Sequence, residues 1–144
     1  MKKIIAAAML FLMSSAIADK ETDARLDKLM GPATHQQYHQ FLENLQHAVA
    51  IADKRSVAAM IDYPVTVSVN GRPVYLANKQ DFITNFDFIF NEKLKKTVAE
   101  QKYENLFAKD SGIMVGSHGE IWFSGICITS DCQKFAIKII AINN

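Results

Sequence analysis

Few of the residues and motifs that usually carry chemistry are present in this chain. Its 144 residues include two cysteines and one tryptophan. The sequence has no P-loop, no GxGxxG fingerprint and no nucleophilic serine at a strand–turn–helix elbow. It also has no internal repeat, no low-complexity segment and no basic patch, and its formal net charge is +1. These absences exclude the enzyme classes that those motifs define and argue against nucleic acid as a partner.

Long apolar runs are equally scarce, since only residues 4–13 form one, and that run is too short to span a bilayer. Lys2 and Lys3 precede it, and Ala16-Ile17-Ala18 follows as an Ala-x-Ala cleavage site. No cysteine stands at this point to carry a lipid anchor. We therefore expect residues 1–18 to be a signal peptide. The product would be a periplasmic or secreted protein with no membrane span after cleavage.

The mature chain would begin at Asp19 and carry 14 basic and 15 acidic residues, which gives a net charge of about −1. Its length suits one domain with a substantial core. Residues 19–33 are polar and charge-rich and are expected to be a frayed lead-in, partly helical at most, which Gly31-Pro32 ends. Residues 34–144 would then form the single domain.

The helical part of that domain is predicted from spacing and caps. Thr34 and Gln37 fit a capping box in front of a long helix. Asp53 and Asn78 are predicted caps of two further helices. Apolar residues recur at helical spacing along the long helix and along the helix after Asn78. They are Tyr38, Phe41, Leu42, Leu45, Val49 and Ala52 in the first, and Phe82, Phe86, Ile89 and Phe90 in the second.

The strands are predicted from alternation. Asn70-Gly71 is a strong hairpin signal that pairs Val67 with Val74, and Pro73 places the return strand at an edge. Period-two patterns after residue 103 predict an antiparallel meander. The predicted class is α+β, with N-terminal helices packed on a curved, mainly antiparallel sheet in the order helix, helix, hairpin, helix, meander.

Cys127 and Cys132 enclose four residues, a spacing that suits a hairpin loop with the two cysteines directly opposite each other. In an exported protein this favours a disulfide over a redox pair or a zinc site completed by His118. Such a register would place Trp122 opposite Ile137 on the inner face of the sheet. Phe123 would then lie on the other face, which we expect to be either a homodimer surface or a surface covered by a neighbouring segment.

The order of elements resembles the nuclear transport factor 2-like (cystatin-like cone) superfamily. The stretches YPVTVSVNG, NKQDFITNFDFIFN and GIMVGSHGEIWF are similar to small secreted bacterial members of that superfamily. The resemblance covers about residues 34–144. Because this superfamily includes dehydratases, isomerases, binding modules and toxin-immunity proteins, it implies a fold and selects no activity.

The resemblance also implies a pocket between the long helix and the inner face of the sheet. Candidate lining residues are Tyr38, Asp62, Tyr63, Asp87 and Trp122. A carboxylate in an apolar pocket has a raised pKa and acts as a base. The same five residues also have ordinary structural interpretations as core or cap residues.

A stripe of histidines on the long helix has the i, i+4 spacing at which two histidines can share a metal ion. His35, His39, Glu43 and His47 recur every four residues, but on the side opposite the apolar stripe, so a solvated face is favoured. We therefore expect no metal and no cofactor. Gly116 and Gly119 flank His118 in a turn next to Glu120, which indicates turn chemistry.

The function expected from these observations is binding without catalysis. The ligand would be a small apolar molecule in the cone, or an envelope protein bound to the sheet face, as in a toxin-immunity or inhibitor protein. The alternative is a small lyase or isomerase that uses a pocket aspartate and a tyrosine. An enzyme requires a roomy pocket with a buried aspartate next to a tyrosine, whereas a protein-binding domain can have a filled interior.

Overall fold

The computed structural model describes the backbone of residues 2–144 and the side chains of residues 16–144, so most of the predicted signal peptide lies outside the described side chains. The helices are α1 (Lys2–Met30), α2 (His35–Ala50), α3 (Lys54–Ala59), α4 (Lys79–Thr84), α5 (Phe86–Ile89) and α6 (Glu92–Glu100), with a 3-10 turn at Tyr103–Asn105. The strands are β1 (Val65–Val69), β2 (Arg72–Leu76), β3 (Phe107–Lys109), β4 (Gly112–Val115), β5 (Ile121–Cys127) and β6 (Phe135–Ile142). In the described part of the chain, no helix has both the length and the apolar composition needed to cross a bilayer.

The segment expected to be a frayed lead-in is helical up to Met30 and packs on the rest of the domain. Leu26 is completely buried. Arg25 donates a hydrogen bond of 2.8 Å to the carbonyl oxygen of Leu106, and the Thr22 hydroxyl donates one of 3.3 Å to that of Glu104. The helix therefore lies beside β3, and it ends where Gly31-Pro32 was predicted to end it.

Helix α2 begins one residue after Thr34, as predicted, but its start is stabilised differently. The Thr34 hydroxyl donates to the carbonyl oxygen of Gly31 and caps no helical N–H group. The predicted capping box is therefore wrong. Asp27 of α1 accepts from the backbone N–H of His35 at 2.9 Å, so the preceding helix supplies the cap.

The other predicted caps are confirmed. The side chain of Asp53 accepts from the Ser56 N–H group, and that of Asn78 accepts from the Asp81 N–H group. The predicted helix after Asn78 is divided at Asn85 into α4 and α5, and its apolar stripe is fully buried. The rings of Phe82, Phe86 and Phe90 contact one another with centroids 5.4–6.0 Å apart.

The sheet is antiparallel within each ladder, as predicted. Strands β1 and β2 pair around Asn70-Gly71 with Val67 opposite Val74, which confirms the predicted register. Strands β3 to β6 form a four-stranded meander in chain order. Two isolated parallel bridges connect β6 to the first half of the chain: Ile139, in the middle of the strand, pairs with Ile61, and Asn143, just after it, pairs with Ser68. The fold is α+β, in the predicted order of elements with α1 added in front.

The register predicted for β5 and β6 is wrong. Cys127 pairs with Phe135, Trp122 pairs with Ala141, and a bulge separates Trp122 from Phe123. The reason is that Cys132 lies inside the connection between the strands with a φ of +57°, rather than at a ladder position. The disulfide between Cys127 and Cys132 is confirmed, but it closes a loop within residues 127–132.

This difference inverts the two faces of β5. Phe123 and Ile121 are fully buried and face the helices, and the Phe123 ring lies 4.9 Å from that of Phe41. Trp122 lies on the opposite, outer face. Cys127 pairs three residues further along the chain than predicted, with Phe135 instead of Cys132. An odd shift exchanges the faces of the two strands that meet, so the longer connection explains the error.

Candidate functional site

Tyr38 fills the space in which a ligand pocket was predicted. Its ring is buried and lies 6.3 Å from that of Phe123 and 6.4 Å from that of Phe135. Gly125 allows this approach, because a Cβ atom there would come within 2.9 Å of the Tyr38 hydroxyl. Burial raises the pKa of Tyr38, so the phenol stays protonated at neutral pH.

Asp62 and Tyr63 lie at the beginning of the chain segment that leads into β1. Asp62 is exposed, and its backbone N–H donates to the carbonyl oxygen of Ile139 at 3.0 Å. The Tyr63 hydroxyl donates to the carbonyl oxygen of Ala58 at 2.8 Å, and burial raises its pKa to about 12. These contacts fix the segment that runs beside the middle of β6.

Asp87 lies on the solvent side of α5 with its side chain 75% exposed, in a salt bridge of 2.9 Å to Lys54. Lys54 also lies over the ring of Phe86 at 5.5 Å from its centroid. Asp87 therefore connects α5 to α3 at the surface, away from Tyr38 and Trp122.

Trp122 belongs to a row of cross-strand neighbours on the outer face of the sheet. The pairings are Phe107 with Met114, Met114 with Trp122, and Trp122 with Ala141. We call these four residues the outer row. The Phe107 and Trp122 rings meet edge to face at 6.1 Å, and the ammonium group of Lys109 lies 4.9 Å from the indole. Phe107 is 52% exposed, so this row presents an aromatic side chain to solvent.

The five candidate pocket residues do not converge. Tyr38 is inside the domain, Trp122 is on the outer face, and the two aspartates are exposed at other places. The predicted pocket between the long helix and the sheet is filled by Tyr38, Phe41 and Phe123. What is left near Tyr38 is a surface groove of about 320 Å³, bordered by Thr34, Gly125, Cys132 and Phe135 among others.

A second groove lies between α2 and the first half of β6. Its volume is about 430 Å³. We call it the α2–β6 groove, and it is lined by Gln36, Gln37, Gln40, Phe41, Asn44, Phe135 and Ile137. The amide side chains form its rim, and the apolar side chains form its floor. No charged residue is among them.

Two of the three histidines of α2 contact other elements, whereas His47 is exposed to solvent. The His35 ring contacts Asp27 at 2.8 Å, and the His39 ring stacks on Tyr103 at 3.7 Å. The Tyr103 hydroxyl in turn donates to Asp23 at 2.6 Å. Burial raises the pKa of Tyr103, and the hydrogen bond and charge of Asp23 raise it further. The stripe thus joins two helices, and no group of three potential metal ligands occurs among the residues described.

The turn before β5 is built around Glu120, one of the few polar side chains buried in the described part of the chain. Its carboxylate oxygens accept from the backbone N–H groups of Ser117 at 2.9 Å and of His118 at 2.7 Å. Gly116 is required beside it, because a Cβ atom there would overlap the carboxylate. The predicted turn chemistry is therefore present, with the buried carboxylate as the group that fixes the turn.

The sequence predicted an outward sheet face but placed Phe123 on it instead of Trp122. Because β5 is apolar on both faces, only the register decides which side chains face solvent. The α2–β6 groove was not predicted, and its signal in the sequence is the run of amides at Gln36, Gln37 and Gln40.

Comparison with models of known protein families, with curated proteins and with solved structures found no match to this chain.

Proposed function

We propose that this chain is an exported, non-catalytic binding protein of the bacterial envelope with a nuclear transport factor 2-like fold. It acts in the periplasm after removal of residues 1–18. It binds an envelope protein through the outer row of the sheet, as an immunity or inhibitor protein would. The binding surface is formed by Phe107, Met114 and Trp122, with Lys109 at its border.

The observation that carries this proposal is that the interior is filled, while the outer row combines the exposed ring of Phe107 with the half-buried Met114 and Trp122. A small apolar ligand in the cone would have to displace Tyr38, Phe41 or Phe123 from buried positions. Aromatic side chains at the surface are typical anchors of protein interfaces, where they bury a large area at a small entropic cost. The sheet face is therefore better suited to a partner than the interior is.

The residues predicted for a lyase or isomerase site do not have the arrangement that such an enzyme requires. Asp62 and Asp87 are exposed, and neither lies beside a buried tyrosine hydroxyl. A general base needs to reach its substrate in a site that excludes water, and the side chains predicted for this role share no site. No observation favours this alternative over binding.

Affinity capture with matched variants tests the proposal. The full chain is expressed in a two-membrane bacterial host, purified from the periplasm, immobilised and exposed to envelope extract. We expect wild-type protein to retain a defined partner and Phe107→Ser to retain at least about tenfold less of it, since interface aromatics commonly contribute more than 1 kcal/mol.

The matched control is Phe88→Ser. Phe88 is 48% exposed, close to the 52% of Phe107, but it lies on α5 outside the sheet. This variant should capture the partner as wild-type protein does. Equal capture by Phe107→Ser and wild type, or no specific capture by wild type, contradicts the proposal.

A further inference from the structure

The first half of β6 is an open sheet edge. Further along the strand, the backbone N–H of Ile139 donates to Met60 at 2.7 Å and its carbonyl oxygen accepts from Asp62 at 3.0 Å. Both groups therefore point away from β5. Backbone direction repeats every two residues in a strand, so the N–H and C=O groups of Ile137 and Phe135 point the same way.

Residues 60–62 pair with β6 only at Ile139. Among the residues that the structure describes, the backbone N–H and C=O groups of Phe135 and Ile137 have no backbone partner. The chain before Met60 is α3, whose last residue, Ala59, accepts a hydrogen bond of 2.7 Å from the side chain of Lys138. We call the unpaired groups of Phe135 and Ile137 the β6 edge. The β6 edge lies on the same side of the strand as the groups of Ile139 that bond to residues 60–62. A strand added at the β6 edge would therefore lie in line with residues 60–62.

Other edges of the sheet have protection of the kind that natural proteins use. Helix α1 lies beside β3, and Arg25 donates to the carbonyl oxygen next to that strand. Strand β2 carries Pro73, which has no N–H group to offer. The β6 edge has no proline, and α2, the helix beside it, is separated from it by the α2–β6 groove.

The α2–β6 groove lies along this edge. Gln36 and Gln37 are exposed, and Gln40 donates to Asn44 at 2.9 Å. Amide side chains donate and accept hydrogen bonds without charge, which matches the peptide groups of an extended chain. Phe41, Phe135 and Ile137 form an apolar floor for a side chain that points inward from that chain.

We propose that the β6 edge and the α2–β6 groove bind an extended, uncharged peptide segment of a partner protein by strand addition. The partner backbone bonds to Phe135 and Ile137, and its alternate apolar side chains enter the groove. This goes beyond the proposed function, because it uses a surface on the other side of the sheet from the outer row.

Selection from a phage-displayed library of random linear dodecapeptides tests this proposal on protein purified from the periplasm of a host that expresses the full chain. We expect enriched peptides with apolar residues at every second position. Amide hydrogen exchange measured by NMR should show new protection at Phe135 and Ile137 when such a peptide binds. Before binding, these two amides should exchange faster than those of Ala136 and Lys138, which face β5.

The decisive variant is Ile137→Pro, which removes an outward N–H group and leaves the ladder to β5 intact. It should weaken peptide binding at least about tenfold through the lost hydrogen bond and the steric change at the edge. Phe107→Ser serves as the control, because it changes the outer row and should bind the peptides as wild-type protein does. The two variants thus distinguish a loss of binding at the β6 edge from a loss of binding at the outer row.

Three results overturn the proposal. One is the absence of enriched peptides, and another is protection that maps away from Phe135 and Ile137. The third is protection of these amides that appears without peptide as protein concentration rises, which identifies a second copy as the occupant. If Ile137→Pro does not fold, the exchange pattern of wild-type protein with peptide decides between support and rejection.

Discussion

Gly125 is the residue on which the filled interior most directly depends. A Cβ atom at this position would lie 2.9 Å from the Tyr38 hydroxyl and 3.0 Å from the Phe135 ring. Either ring would have to move, and overpacking of this kind costs about 1–3 kcal/mol. We expect Gly125→Ala to lower the free energy of unfolding by that amount in urea denaturation.

The Tyr38→Phe background provides the control for that prediction. Removing the hydroxyl relieves the closer of the two contacts. Gly125→Ala should therefore lower the free energy of unfolding less in the Tyr38→Phe background than in the wild-type chain. A double-mutant cycle measures this difference. An equal loss of unfolding free energy in both backgrounds would show that a Cβ atom at position 125 does not clash with the Tyr38 hydroxyl.

The disulfide is also best understood at the residue scale. Its position at the base of a short loop constrains few residues, so its entropic contribution to stability is small, about 2 kcal/mol on the chain-entropy model. Sequence spacing and the predicted compartment were sufficient to predict the pairing. They were not sufficient for the register, because a cysteine in a loop and a cysteine at a ladder position have the same spacing in sequence.

At the scale of elements, the contact between α1 and α2 is the part of the fold with the clearest pH dependence. Burial of Asp27 acts to raise its pKa, but hydrogen bonds from the backbone and ring of His35, together with the His35 charge, outweigh burial and hold the pKa below its ordinary value. A lowered pKa in the folded state means that the unfolded chain binds protons more readily. The stabilisation from Asp27 is therefore present above about pH 4 and is lost as the pH falls through the folded pKa.

Asp27→Ala tests this contact. Loss of the helix cap should lower the free energy of unfolding by about 1 kcal/mol at pH 5–7. The difference from wild type should shrink below pH 3.8, as measured by urea denaturation over a pH series. Asp62→Ala, at an exposed position outside this contact, should stay within about 0.5 kcal/mol of wild type. If the difference in unfolding free energy between Asp27→Ala and wild type stays constant down to pH 2, this account of the α1–α2 contact is contradicted.

Elements with strong local signals could be predicted from the sequence. The Asn70-Gly71 hairpin has its predicted register because a two-residue turn fixes the pairing of every following residue. The caps at Asp53 and Asn78 bond as predicted, because each side chain accepts from an N–H group only three residues further along the chain. In each case the deciding interaction lies within a few residues along the chain.

Elements that depend on distant partners could not be predicted in the same way. The polar segment before Gly31 looked frayed because its stabilising contacts, from Tyr103 to Asp23 and from His35 to Asp27, join residues from three different elements. The candidate pocket had the same weakness. Whether Asp87 and Tyr38 meet depends on packing between helices, and sequence periodicity gives only the face on which each residue lies.

For the whole molecule, the central contrast is between a core filled by aromatic rings and surfaces that remain available. The helices cover the inner face of the sheet through Phe41 and Phe123, whereas Phe107 and Trp122 face outward. This contrast is the reason why we propose a protein partner rather than a small ligand. Its export, which the first 18 residues predict, would place that surface in the periplasm.

Site-specific photocrosslinking in intact cells tests the central claim most directly. A photoreactive amino acid is placed at position 107 of the full chain, with position 88 as the control, and adducts in the periplasmic fraction are identified by mass spectrometry. We predict a single adduct with another envelope protein at position 107 and none at position 88. An adduct of two copies of this chain, equal adducts at both positions, or none at position 107 would contradict the claim.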